Sequence, residues 1–171
     1  LTSLDLSGFN ASEVKYMDGM FAYCSKLKHL NLSGFKTGKV EDMHEMFYKC
    51  GNLTSLDLSC FDTKQVNTTY SMFYDCTRLK ELDLGNWDLS SVATATTMFD
   101  GTKSIARITL PNLPVDIDLS DMFYDEKHSL TDIAKAGRGK VTYIRAAYGD
   151  SYCYKNGHTY SLPNFTWADD Y

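Results

Sequence analysis

The chain has 171 residues, of which 43% are hydrophobic and 23% charged, as in an ordinary globular domain. Its formal net charge of -5 argues against nucleic acid and against an anionic membrane surface as partners, because both are bound mainly through Lys and Arg. No apolar stretch is long enough to span a bilayer. From the charge and from this lack of a spanning segment, we expect neither a nucleic-acid partner nor membrane insertion.

A 26-residue period organises most of the sequence. Four similar units start at residues 1, 27, 53 and 79, and a degraded fifth unit starts at residue 105. A period of this length is typical of a solenoid, in which each unit buries its apolar face against its neighbours. The first residue is already in phase with the repeat, which favours a piece of a longer array, preceded by more repeats or a cap.

The first half of each unit carries the pattern LxxLxL. In the first unit Leu4 and Leu6 alternate with polar residues, and this period of two predicts a short strand with one buried face. An aromatic residue follows each strand, where a stacked column would fill the turn out of it. The column consists of Phe9, Phe35, Phe61 and Trp87.

The second half of each unit has apolar residues at helical spacing. In the first unit they are Val14, Met17, Met20, Phe21 and Cys24. They would cover one face of a helix, and a residue able to cap it precedes each unit's helical half, for example Thr37 or Thr63. Strands stack about 4.8 Å apart and helices about 8–10 Å apart. We therefore expect a curved solenoid with parallel strands on its concave face and helices on its convex face.

These residues carry a resemblance to a known family. The string LxxLxLxxF…V…MFxxC recurs in three units, and with it residues 1–124 closely resemble the BspA-like leucine-rich repeats of bacterial surface proteins, which also occur in some mycoplasmas and parasitic protists. The resemblance implies an α/β leucine-rich-repeat solenoid at the cell surface, with adhesion as its usual role. It names no ligand. Repeat four departs from the pattern, because Thr102 replaces the Cys and several Thr dilute its helical half.

We divide the chain into a solenoid at residues 1–125 and a small β-rich C-terminal cap at residues 126–171. Residues 140–146 are predicted to form a strand, and the Asn156-Gly157 pair between alternating residues predicts a hairpin. The segment is rich in aromatic residues. It would cover the open end of the last repeat, and its aromatic residues are also candidates for a recognition patch. The candidate patch consists of Tyr152, Tyr154, Tyr160 and Trp167.

The cysteines and histidines do not predict a metal site. Cys24, Cys50 and Cys76 recur at one repeat position without C-x-x-C spacing, and we interpret them as small buried apolar residues. Whether Cys60 and Cys153 pair is left open. The histidines lack ligand spacing, and no nucleophile elbow or phosphate-binding loop is present. We therefore expect no metal, no cofactor and no catalytic activity.

The outward strand positions form two columns on the predicted concave face. Asp5, Asn31, Asp57 and Asp83 fall in one of them. Carboxylates stacked about 5 Å apart repel each other, which a divalent cation, a cationic partner or solvent can relieve. The surface is polar and mildly acidic, and suits a basic or glycan ligand. The candidate binding residues are His29, Asn31, Asp57, Glu81, Asp83 and Arg107.

The predicted convex side carries a second ladder, Tyr48, Tyr74 and Tyr124. It is consistent with helix packing or with an interaction patch. Taken together, the sequence predicts a non-enzymatic extracellular binding module that recognises a protein or glycan of a host or neighbouring cell through its concave sheet. The alternative is a structural spacer that presents another domain of a larger surface protein. The extracellular, cell-surface location follows from the resemblance alone.

Overall fold

The fold is known from a computed structural model, which describes residues 1–111, residue 122 and the strand segments 132–135 and 166–167. All strand pairings are parallel. One sheet pairs β1 with β2, and a second has the order β3-β4-β5-β6. The strands are β1 (Ser3–Asp5), β2 (His29–Asn31), β3 (Glu81–Asp83), β4 (Arg107–Leu110), β5 (Asp132–Lys135) and β6 (Thr166–Trp167).

The register follows the sequence repeat. Ser3 pairs with His29, and Glu81 with Arg107, each 26 positions further along the chain. Arg107 pairs in turn with Asp132, so the parallel ladder continues past residue 125 into the segment assigned to the cap. The predicted strand at 140–146, the predicted hairpin and all three tyrosines of the cap patch lie outside the described residues. Of the predicted patch, only the backbone of Trp167 is described, in β6.

The predicted helices are wrong for residues 1–111, because the second half of each unit forms a series of turns instead. We call residues 16–24, 42–50, 68–76 and 94–102 the turn ladder. Two positions in each unit have a left-handed backbone, with φ between 51° and 72°. A right-handed helix requires negative φ at every residue, so these positions exclude it. They are Gly19, Glu45, Ser71 and Thr97 in one column, and Tyr23, Lys49, Asp75 and Gly101 in the other.

Alternate amides of the turn ladder bind the next unit. The amide of Met17 donates to the carbonyl of Asp42, and that of Phe21 to the carbonyl of Met46, both at 2.9 Å. The intervening amides close local turns, as Cys24 does onto the carbonyl of Phe21 at 3.1 Å. The pattern recurs at the next two interfaces, and it brings units on this side to strand-like spacing. The predicted concave strand face depended on the wide spacing of helices on the opposite side, and that spacing is missing here.

The apolar residues assigned to the helical face nevertheless form the core. In repeat two, Val40, Met43, Met46 and Phe47 are fully buried. The phenylalanine rings of the Met-Phe pairs stack along the molecule, with centroids 5.4–5.5 Å apart from Phe21 to Phe99. The aromatic column that follows the strands also stacks as expected, with centroid separations of 5.4–6.2 Å. The spacing of the apolar residues therefore predicted which of them face the core, although it predicted the wrong backbone conformation.

Two threonines that were candidate helix caps bind the following unit instead. The Thr37 hydroxyl donates to the carbonyl of Asp62 at 2.8 Å and accepts from the amide of the same residue at 2.9 Å. Thr63 makes the same pair of bonds to Asp88, at 2.9 and 2.8 Å. Both threonines are buried. Each threonine hydroxyl therefore takes the place of the backbone amide and carbonyl that a neighbouring strand would supply to the same residue.

The cysteine column packs in the core, in agreement with its interpretation as a set of small apolar residues. Cys50 and Cys76 are buried, and their thiols donate to the carbonyls of Phe21 and Phe47 at 3.0 and 3.2 Å. Burial raises the pKa of Cys50 to about 12 and that of Cys76 well above its ordinary value. Cys60 is a free, half-buried thiol, and Cys153 lies outside the described residues.

The first unit shows how much burial depends on a neighbour. Several of its large apolar side chains are exposed, with 77% of Leu1 and 67% of Tyr23 accessible to solvent. Phe9 is 42% exposed, whereas Phe35 in the same column of repeat two is fully buried. Each unit therefore completes its core only when another unit covers it, as expected for stacked repeats.

Candidate ligand-binding site

The strand side of the stack is interrupted at repeat three. Residues 53–58 belong to neither sheet, although the residues equivalent to 55–57 form β1, β2 and β3 in repeats one, two and four. In the intact parts, the amide of Leu6 donates to Asn31 and that of Leu84 to Thr109, both at 2.9 Å. Within the described residues, the equivalent amides of Leu32 and Leu58 make no such bond. Repeat three is therefore attached mainly through the core and the turn ladder.

A depression of about 460 Å³ opens beside this interruption. We call it the strand-face slot. Half-buried Leu56 and buried Leu82 supply its apolar surface, and polar residues on either side of them are exposed. It is lined by Ser55, Leu56, Asp57, Glu81, Leu82, Asp83 and Thr109.

The slot brings together three of the six predicted strand-side residues, Asp57, Glu81 and Asp83. His29 and Asn31 lie in β2, are exposed and do not line it. The backbone of Arg107 pairs with Glu81 between β3 and β4, while its side chain lies outside the described residues. The predicted site is therefore concentrated at repeats three and four rather than spread evenly along the strands.

The aspartate column has a structural role that the sequence analysis missed. The Oδ1 atoms of Asp5, Asp57 and Asp83 each accept a hydrogen bond at 2.9 Å from the amide two residues later. Asn31 does the same with Ser33 at 3.1 Å. These are Asx turns, which both Asp and Asn favour. The signal was present in the sequence as D-L-S, N-L-S, D-L-S and D-L-G at the end of each strand.

The Asx turn of Asp57 also favours the charged form of its carboxyl group. Hydrogen bonds from Ser59 lower the pKa of Asp57, so its carboxyl group is ionised at neutral pH. An acid that must donate a proton in catalysis needs a pKa raised toward the working pH, and Asp57 is shifted the other way. Neither Asp57, Glu81 nor Asp83 forms an ion pair with any cation whose side chain the structure describes. The slot is thus equipped to accept hydrogen bonds from an ammonium, a guanidinium or a set of hydroxyl groups.

No three His, Cys, Asp or Glu side chains are grouped as metal ligands in the part of the chain that the structure describes. The acidic column lies in one line along the strands, and each of its aspartates is already bound to a backbone amide. A cation at this column would therefore meet one carboxylate at a time rather than a set of ligands that converge on one point.

The turn ladder carries a second group of outward side chains, which we call the tyrosine patch: His44, Tyr48, Tyr70 and Tyr74. Tyr48 and Tyr74 stack with centroids 4.9 Å apart, and His44 and Tyr70 stack at 4.7 Å. All four side chains are half-buried. The predicted ladder of Tyr48 and Tyr74 therefore lies on a surface of turns rather than between helices, and Tyr124 lies outside the described residues.

Over residues 1–111 and the few described residues beyond them, no helix has the length and apolarity needed to cross a membrane.

Comparison with known proteins gives a match to a family model. Residues 1–112, which include the strand-face slot and the tyrosine patch, match the family model described as "Mycoplasma protein of unknown function, DUF285". No curated protein and no solved structure matches the chain. Because the matched residues make up more than half of the 171, the chain belongs to the DUF285 family.

Proposed function

We propose that this protein is a non-enzymatic binding module of a cell-surface solenoid of the BspA-like leucine-rich-repeat type, and that it holds its ligand in the strand-face slot. The observation that carries the proposal is the interruption at repeat three, where the strand ladder opens beside three exposed carboxylates. An extracellular location, and adhesion to a host or neighbouring cell as the role, rest on the resemblance of the repeats.

The chemistry of the slot favours a protein or glycan ligand whose hydrogen-bond donors are clustered. Its acceptors are the carboxylates of Asp57, Glu81 and Asp83, and its centre is the apolar surface of Leu56 and Leu82. A lysine or arginine side chain offers a cationic end and an apolar stem, and a sugar offers hydroxyl groups around an apolar ring. Backbone groups of residues 53–58 that are unpaired on the strand side add further hydrogen-bonding positions.

The experiment is a binding screen with paired variants. Immobilised extracellular proteins and a glycan array are probed with the wild-type chain, with Asp57→Asn plus Asp83→Asn, and with Asp57→Lys plus Asp83→Lys. Asn keeps the Asx turn, as Asn31 shows in the same column, so the first pair removes charge without removing the turn. We expect saturable binding that weakens with Asn and is lost with Lys.

The matched control is Asp62→Asn plus Asp88→Asn. These exposed aspartates also accept backbone hydrogen bonds, from Lys64 and Ser90, but they do not line the slot. Equal weakening by both pairs of variants would show that only net charge matters. A screen without saturable binding would end the proposal.

A spacer function is the second candidate, and one observation favours it. The turn ladder runs without interruption through repeats one to four, with four inter-unit amide bonds at each of the three interfaces, which suits a mechanical support. In that case the slot variants leave cell adhesion of the whole surface protein intact, whereas deletion of one complete repeat reduces it.

A further inference from the structure

Resting on the function proposed above, we infer that the ligand of the strand-face slot is an extended segment of a partner polypeptide with basic residues at alternate positions. The segment binds as an additional strand, through main-chain hydrogen bonds to both walls of the slot. Two features carry this inference: the unpaired backbone groups of the two walls, and the spacing of the exposed carboxylates between them.

One wall of the slot is β3, and the edge of β3 that faces repeat three has no strand partner. In a parallel ladder every second residue of a strand bonds to the same neighbour. The amide of Leu84 and the carbonyl of Lys80 both bond to repeat five, at 2.9 and 2.8 Å. The alternate residues, Glu81 and Asp83, therefore direct their backbone groups toward repeat three. Among the described residues, none forms a backbone hydrogen bond with them there.

Residues 54–58 form the opposite wall, and their backbone is unpaired as well. In repeat one the carbonyl of Thr2 accepts a hydrogen bond from the following unit, and the amide of Leu6 donates one to it. The equivalent groups in repeat three are the carbonyl of Thr54 and the amide of Leu58, and neither makes such a bond within the described part of the chain. The slot thus has backbone donors and acceptors on both of its walls.

These backbone groups favour a polypeptide over a glycan. Unpaired amides and carbonyls need a partner, which water supplies in the free protein and a ligand can supply in the complex. The volume of the slot, about 460 Å³, lies within the range of about 300–1,000 Å³ that is usual for ligand sites. An extended chain carries amides and carbonyls in a regular row, and addition of such a chain to a free sheet edge is an established binding mode. A sugar has no equivalent row.

The side chains of the slot predict the sequence pattern of the segment. Glu81 and Asp83 are exposed on one face of β3, and Leu82 between them is buried. The two acids are therefore about 6.6 Å apart along the strand, the same spacing as residues i and i+2 of an added strand. Basic residues at i and i+2 would lie beside Glu81 and Asp83, where opposite charges on neighbouring strands attract. An apolar residue at i+1 would face half-buried Leu56.

The test titrates the folded chain with a labelled peptide of sequence Lys-Val-Lys-Val-Lys. A second peptide, Lys-Lys-Val-Val-Lys, has the same charge and composition without the alternation, and we expect it to bind several-fold more weakly. Two further peptides keep the alternating sequence and carry N-methyl groups either on the valine amides or on the lysine amides. At least one of these should bind roughly 10-fold more weakly, the size of one or two lost main-chain hydrogen bonds.

Amide hydrogen exchange of the protein shows where the peptide pairs. The amides of Leu58 and Asp83 should exchange at least 10-fold more slowly when the alternating peptide is bound. The amide of Leu6 is the control, because it already donates to Asn31 at 2.9 Å and lies outside the slot. Its exchange should not change. Contact through side chains alone would leave the exchange of Leu58 and Asp83 unchanged.

The charge variants described above complete the test. Asp57→Asn plus Asp83→Asn should weaken binding of the alternating peptide, and Asp62→Asn plus Asp88→Asn should not. No binding, equal binding of all four peptides, or unchanged exchange at Leu58 and Asp83 in the complex would each overturn the inference. If ligands from the binding screen still depend on Asp57 and Asp83 in that case, the proposed function stands without it. If neither the peptide nor any screened ligand depends on them, both fall.

Discussion

The two sides of each repeat are built differently, although both pair in parallel with the next unit. The strand side uses strands of three or four residues, and it is interrupted at repeat three. The turn ladder uses four amide bonds at each interface from repeat one to repeat four, and it has no interruption there. Continuity of the stack thus comes from the side that sequence periodicity assigned to helices.

This difference indicates where the molecule can vary without losing its fold. Where the turn ladder and the buried Phe column already hold neighbouring units together, the strand side can open, and the strand-face slot is the result. The tyrosine patch illustrates the same rule on the outer surface of the turn ladder, since its side chains change between repeats while the backbone bonds beneath them do not. Functional positions are therefore expected where the repeat is interrupted or changes.

The largest expected effect compares the two sides directly. Phe47 is fully buried between the rings of Phe21 and Phe73, each 5.5 Å away, and Phe47→Ala should lower the free energy of unfolding by about 3–5 kcal/mol. Leu56→Ala, at the interrupted strand, removes a half-buried side chain and should cost about 2 kcal/mol or less. Urea unfolding measures both. Equal losses would contradict the view that the turn ladder side dominates stability.

The distribution of burial could be predicted from the sequence because burial depends on periodicity alone. Met46 and Phe47 recur in all four units, and an apolar residue that recurs at one position of a stack is covered by its neighbours whichever backbone carries it. The aromatic column through Phe35 was predictable for the same reason. The backbone conformation was not, since spacings of three and four residues fit one face of a helix and also fit successive turns.

The signals that separate helix from turn were present but weak. Left-handed positions carry Gly only at Gly19 and Gly101, while the other units have residues such as Glu45 and Lys49 that are ordinary in helices. A single unit therefore looks helical, and only the column as a whole points to a left-handed backbone. The slot was partly predictable, because outward acids at Asp57 and Asp83 follow from alternation. The interruption beside them arises from pairing between units, which no pattern within one unit encodes.

A second prediction concerns the side-chain bridges between units. Thr37→Val leaves the amide and carbonyl of Asp62 without the hydroxyl that satisfies both, and we expect a loss of about 1–3 kcal/mol in the free energy of unfolding. The control is Thr69→Val, because the Thr69 hydroxyl is buried and has no hydrogen-bond partner among the described residues. That substitution should be neutral or stabilising. The same unfolding experiment checks both variants, and a comparable cost at the two positions would contradict the bridging role of Thr37.

A third prediction distinguishes the turn ladder from a helix by asking which of two variants at position 45 is the more stable. Glu45 has φ of 54°, and Gly occupies the same column at position 19. Glu45→Gly should therefore be more stable than Glu45→Ala by about 1 kcal/mol, since left-handed backbone is costly for residues with a Cβ atom. In the interior of a helix the order is reversed, with Ala more stable than Gly by a similar amount. Thermal and urea unfolding of the two variants give the sign directly.

The smallest expected effect lies in the pH dependence of the strand side. The amide of Ser59 lowers the pKa of Asp57 in the folded chain, below the value of about 3.9 that an unfolded aspartate has. The stabilisation from ionised Asp57 is therefore complete above the unfolded value, and is lost as the pH falls through the folded value. Asp57→Asn keeps the turn and removes this titration. The stability advantage of the wild type over Asp57→Asn should thus shrink as the pH is lowered from about 6 to about 3, by a small amount because the group is exposed. If the difference between the two urea midpoints stays constant over this range, the Asx turn does not depend on the charge. The column would then tolerate Asn31 for that reason.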